Sequence, residues 1–171
     1  MSSGLPGAES RPILSMAAEA RTFGADWSHC DQLSNYIATA LSLGRPDPLL
    51  YANLLSTILN EVYEALFRRE LGQGEIDCTL FNEGEELLIV FDFEAKDADR
   101  EHFDSVVRRA SSADAARCYE EALASGADDS SELGLLGLAV DYGCGMRLER
   151  SGERLRLGLR LHQSLQLAGM K

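Results

Sequence analysis

The side chains able to bind a metal or act as nucleophiles are few and scattered. Cys30, Cys78, Cys118 and Cys144 form no C-x-x-C pair, and His29, His102 and His162 stand equally far apart. A zinc site usually draws on two close ligand pairs, and none exists here. His29 and Cys30 could supply two ligands, but reduced, mostly buried cysteines are the better reading. No nucleophile triad, flavin or dinucleotide fingerprint, or phosphate-loop lysine is present. Gly72-x-Gly74 lacks the flanking strand and third glycine of such a fingerprint. Gly134 and Gly137 lie in a short apolar segment whose helical N-terminus would offer N–H groups to an anion. Glu132, Asp128 and Asp129 put negative charge beside it and weaken that attraction.

These residues need elements to position them. Residues 27–43 carry Leu33, Tyr36, Ile37, Ala40 and Leu41 at three- and four-residue steps, which predicts a helix. Asp26 or Ser28 would cap it, and Gly44 and Pro46 close it. Asp47 suits the N-cap and Pro48 the first position of a longer helix running to Leu71. Its stripe of Leu50, Leu54, Ile58, Val62 and Leu66 is widened by Leu55, Leu59 and Tyr63. Such width implies a sheet on one side and a neighbouring helix on another. Ile76, Cys78 and Leu80 then alternate with polar residues as a half-buried strand, and a turn at Gly84 leads to the apolar run 87–93, a central strand. Residues 98–123 read as one or two helices with a break at Ser111 and Ser112, followed by a polar loop and a short helix over 133–142. The strongest period-two pattern comes last, where Leu155, Leu157, Leu159 and Leu161 alternate with Arg156, Gly158 and Arg160. It pairs with 146–150 in a second hairpin. A short strand is expected at 13–16 or at 21–23. The first eleven residues read as a disordered lead to a single domain over 12–171, and 164–171 as a fraying end. The element order predicts an α+β two-layer sandwich, a mostly antiparallel sheet covered by helices on one face.

Composition narrows the function classes. The 171 residues carry 16 Lys and Arg against 28 Asp and Glu, a formal charge of −12. Phosphate contacts need clustered basic residues, so general nucleic-acid binding is excluded. At 45% apolar and 26% charged, the chain is built for a folded core. No stretch approaches eighteen consecutive apolar residues, so no membrane span is expected. Residues 1–12 lack the features of a secretory signal, which points to the cytoplasm.

Three fragments carry a family resemblance. They are Asn60-Glu61-Val62-Tyr63-Glu64-Ala65-Leu66-Phe67-Arg68, Ile89-Val90-Phe91-Asp92 and Glu132-Leu133-Gly134-Leu135-Leu136-Gly137-Leu138. With the element order over about 47–162, they resemble the GHKL fold of histidine kinases, gyrase-type ATPases and anti-sigma serine kinases. The resemblance implies Glu61 as the base that activates a water or hydroxyl. It implies Asp92 on the adenine amino group, and Gly134 and Gly137 beside the phosphates. The position four after Glu61, where the family has its magnesium-holding Asn, is Ala65 here. Alanine has no lone pair for a hard cation. An alternative register makes Asn60 the metal ligand with Ser56 as its partner. Asp92 is followed by Phe93-Glu94-Ala95-Lys96 in place of the family's glycines, and Phe93 would crowd the pocket.

The resemblance therefore implies a degenerate, non-catalytic member with no cofactor, acting in bacterial signalling by binding a protein such as a response regulator or anti-sigma-type partner. The alternative is an active ATP- and magnesium-dependent serine/threonine kinase of the anti-sigma type. A structural or dimerisation module is a third class, and a homodimer is compatible with each. Arg156 and Arg160 share one strand face, expected to meet water or a partner, and Arg108, Arg109 and Arg117 mark the 97–126 insert as a docking element.

Overall fold

The computed structural model describes residues 4–6, 10–126 and 130–165. The chain begins with a strand, β1 (Leu14–Glu19), and a single helical turn, α1 (Ala20–Phe23). Of the two expected strand positions, the first is used. Met16 pairs with Cys78 and Leu14 with Leu80, whereas residues 21–23 belong to the helical turn that swings the chain over the sheet.

Two long helices follow, α2 (Ser28–Ser42) and α3 (Pro48–Arg68). The Asp47 carboxylate accepts the Leu50 N–H at 3.0 Å, and Pro48 opens the helix, as the sequence indicates. The helix stops at Arg68 rather than Leu71. Glu70 takes a positive φ of 50°, and the turn drops Leu71 into the core on the way to the next strand.

The sheet is completed by β2 (Glu75–Glu83), β3 (Glu86–Glu94), β4 (Gly145–Ser151) and β5 (Arg154–His162). All neighbours are antiparallel, in the order β1-β2-β3-β5-β4, so the apolar β3 is the central strand. Between the hairpins run α4 (Asp97–Ala110), α5 (Ala115–Ala124) and α6 (Ser130–Tyr142). The expected break at Ser111 and Ser112 separates α4 from α5. The architecture is an α+β sandwich, an antiparallel sheet with the helices layered on one face.

Strand parity decides what each face carries. Ile89, Phe91 and Phe93 of β3 and Leu155, Leu157, Leu159 and Leu161 of β5 point to the helices and are fully buried or nearly so. Phe91 meets the Tyr63 ring of α3 edge to face at 5.2 Å, and Tyr63 also packs on Phe23 at 5.6 Å. The opposite face, which no helix among the described residues covers, shows Leu88, Val90 and Phe81 as a small second cluster, with Asp77, Asp92, Arg156 and Arg160 around it. Leu5 lies against that cluster, although it belongs to the stretch read as a disordered lead.

Candidate functional site

On the helical side, α3, α5 and α6 enclose a cleft of about 400 Å³, lined by Thr57, Glu61, Glu64, Tyr119, Leu133, Gly134, Gly137, Leu138, Asp141 and Tyr142. Three of the predicted residues meet here. Gly134 makes room for Glu61, since a Cβ at Gly134 would collide with the carboxylate Oε2. Gly137 faces Tyr119, where a Cβ would stand 3.5 Å from the ring in ordinary contact. Burial, then the neighbouring Glu64, pushes the Glu61 carboxyl above its ordinary value, with Arg68 opposing. Among the described residues the lining carries three carboxylates, Glu61, Glu64 and Asp141, and no basic side chain.

The sign of the Glu61 effect gives a test. A carboxyl whose folded value is raised stabilises the fold fully below its ordinary value of 4.5. That contribution is lost as pH rises through the folded value. Glu61→Gln will therefore be more stable than the wild type at pH 7 and no more stable at pH 4, read from urea midpoints at the two pH values.

The neighbours of Glu61 are turned elsewhere. Ala65 is fully buried in the core. Asn60 donates to Glu64 at 2.7 Å, and its Oδ1 is buried without a partner among the described residues. Ser56 donates to the Asn53 carbonyl. The described residues hold no cluster of three or more His, Cys, Asp or Glu placed to bind a metal. Cys30, Cys78 and Cys144 are buried, and burial pushes each thiol up to about 12, which disfavours the thiolate.

Asp92 is not in this cleft. It projects from the open face of the sheet, where Arg154 donates from Nε to Asp92 at 2.6 Å and from Nη2 to Asp77 at 3.0 Å. Asp77 and Asp92 are direct cross-strand neighbours, and Arg154 relieves the repulsion between them. Burial raises the Asp77 carboxyl; Arg154 lowers it, while Asp92 and Glu75 add to the rise. Arg156 lies 3.7 Å from Asp92 and 3.4 Å from Glu149, and Arg160 bridges Glu83 and Glu86 at 2.7 Å each. The expected basic strand face is thus neutralised by its own carboxylates.

The start of α6 is equally occupied. His102 of α4 lies 3.1 Å from the buried Ser131 hydroxyl, and Arg109 pairs with Glu132. Asp128 and Asp129, expected beside this terminus, lie outside the described residues. Arg108 pairs with Asp104, and Arg117 with Asp114 and Glu121, so the insert's arginines are held within the insert or against α6.

A different surface is left bare. Leu43 ends α2 at 76% exposure, and Leu49 and Leu50 begin α3 at 72% and 54%. Tyr36, 64% exposed, lies two turns back from Leu43 on the same helical face. The five-residue turn between the helices is pinned. Arg45 stacks at 4.4 Å on the Tyr51 ring and donates to Gln163 at 3.3 Å, beside the β2–β3 turn. The stripe read from the sequence of α3 includes Leu50, but the run Leu49-Leu50-Tyr51 is too wide to bury, and Tyr51 alone of the three goes inside. That excess of apolar residues in the first turn is the sequence signal for the patch.

No protein-family model matches the chain, and no curated protein matches it. Its fold is similar to a chain in the crystal structure of the SiaB–SiaC complex from Pseudomonas aeruginosa. The TM-score is 0.59 at 16% identity, over 89% of this chain and 91% of that one. The GHKL resemblance is corrected by these findings. No model of that family matches, and the structural similarity leads to the SiaB–SiaC complex instead. The geometry agrees, because Asp92 lies on the sheet face away from Glu61, Gly134 and Gly137. Local fragments of nine, four and seven residues matched by type without fixing which side of the sheet each one faces.

Proposed function

We propose that this chain is a regulatory protein that acts by binding another protein in a cytoplasmic signalling pathway, without chemistry of its own and without a cofactor. The observation that carries this reading is the exposure of Tyr36, Leu43, Leu49 and Leu50 on the two helices and the pinned turn that joins them. Single exposed leucines are common, but grouped ones held in a fixed geometry are typical of interaction sites. The fold's similarity to a chain solved within a two-protein complex supports the reading. So does the chemistry of the cleft, where the one carboxylate with a raised value faces glycine and other carboxylates. No helix among the described residues is long and apolar enough to cross a membrane.

The test is a binding measurement with a partner first captured by the wild-type chain and then purified. Leu43→Asp with Leu49→Asp will weaken that affinity at least about tenfold, or roughly 1.4 kcal/mol, as expected when apolar anchors are replaced by charge. Both sites are exposed, so the melting temperature will hardly change. Unchanged affinity in the folded double variant would remove this patch from the interface.

A further inference from the structure

The sheet face without a helix is nevertheless closed over its apolar centre, where Leu88 is 1% exposed and Val90 3%. The apolar side chain packed on these two and on Phe81 is Leu5, from the start of the chain. Beneath Leu5 lies Gly158, mid-strand in β5, paired to Val90 of β3 on one side and Arg147 of β4 on the other. The φ of Gly158 is not in the left-handed region, so the backbone does not demand glycine here. Space does. A Cβ on Gly158 would collide with Leu5 Cδ2 and stand 3.3 Å from Cγ. A glycine inside a strand often marks such a close approach of another segment.

The main chain of this short segment is held as well. The Leu5 N–H donates to Glu149 Oε1 at 2.8 Å, and Arg156 Nη2 donates to the Pro6 carbonyl at 2.8 Å. Glu149 and Arg156 are themselves direct partners across β4 and β5. The residue before a proline is biased toward extended backbone, which suits Leu5 to lying flat on a sheet. The strand order gives these contacts their reach. Leu14 opens β1 at one edge of the sheet, whereas β4 is the other edge. Leu5 and Pro6 are bonded to β4 and β5, so the start of the chain is tied to the edge opposite its own first strand.

We infer that Leu5 and Pro6 form an intramolecular latch that gates the helix-free face of the sheet, keyed by the Leu5 side chain to the space above Gly158. With the latch closed, Phe81, Leu88 and Val90 are sealed. Its release uncovers them inside a ring of Asp77, Asp92, Arg156 and Arg160, so the face presents apolar surface only in the released state. The key is the side chain, because Glu149 and Arg156 reach only main-chain atoms that any residue would offer. The hold consists of that one side chain and two hydrogen bonds, so a single substitution releases it. This device is separate from the α2–α3 patch and does not depend on it.

The test compares the full wild-type chain with Leu5→Ser, Gly158→Ala and the double variant by urea denaturation. Gly158→Ala is expected to lower the midpoint of the wild type, because the new methyl group expels Leu5. In the Leu5→Ser chain the same substitution is expected to leave the midpoint unchanged or raise it, since the space is empty and alanine restricts the unfolded chain more than glycine does. An equal lowering in both backgrounds overturns the inference. Gating is read from a hydrophobic dye such as ANS, whose emission is expected to rise at least about threefold with Leu5→Ser while unfolding stays cooperative. No rise overturns the gate, and this decides the matter even if Gly158→Ala fails to fold. In an equimolar mixture of isotope-labelled and unlabelled wild-type chain, the NMR contact between the Leu5 methyls and Gly158 is expected within one chain. A contact between labelled and unlabelled chains would assign the segment to a second copy and overturn the intramolecular latch.

Discussion

Phe91→Ala will lower the stability of this protein by about 3–5 kcal/mol, the cost of deleting a large aromatic side chain from a packed interior. Phe91 is fully buried in the central strand and stacks edge to face on Tyr63, which in turn joins α3 to Phe23 of α1. The ring therefore sits where sheet, long helix and first turn meet. Domains of this kind are stable by only about 5–15 kcal/mol, so about a fifth of the total or more is at stake. In thermal unfolding the loss corresponds to a melting point lower by roughly 6–20 °C. Phe91→Leu keeps most of the volume and will cost less than half as much. A melting point for Phe91→Ala within about 2 °C of the wild type would mean that the helices do not rest on the sheet at this point.

That packing was legible in the sequence wherever periodicity was strong and a residue's face followed from it. In β5 the leucines at 155, 157, 159 and 161 all turned inward, because a strand allows no other arrangement once one of them does. Asp47 and Pro48 marked the start of α3 because capping is local chemistry. The end of α3 was illegible, since tertiary burial of Leu71, not propensity, stops the helix. In β3 the near-continuous apolar run concealed the parity, so nothing local told which face Asp92 would take. It is the register with Arg154 and Asp77 that shows it. The meeting of Glu61 with Gly134 followed from the helices being neighbours, which survives the loss of the family resemblance that suggested it. Leu5 left no signal at all, because a lone leucine carries no period and the glycine it covers, Gly158, is some 150 positions away.

At the charged start of α4 one acidic residue follows the buried period of the helix rather than the solvated side. Asp97 and Glu101 do face water, yet Asp99 is only 5% exposed. It shares a helical face with Phe103, Val106 and Ala110, at steps of four, seven and eleven residues, all of them buried. Its carboxylate is met by Arg69 Nε at 2.9 Å, from the C-cap of α3. Arg69→Ala will therefore strand a carboxylate under the helical layer. Removing one partner of a buried pair costs about 3–5 kcal/mol, and Arg69, 24% exposed, admits some water, so about 2–3 kcal/mol is expected. Asp99→Ala will cost less, because the guanidinium it abandons can turn to solvent. The double variant Arg69→Leu with Asp99→Leu will be more stable than Arg69→Ala alone, since no buried charge is left without a partner. Urea denaturation of these variants forms the measurement. Equal losses for Arg69→Ala and the double variant would show that packing of the arginine stem, rather than the ion pair, ties α4 to the end of α3.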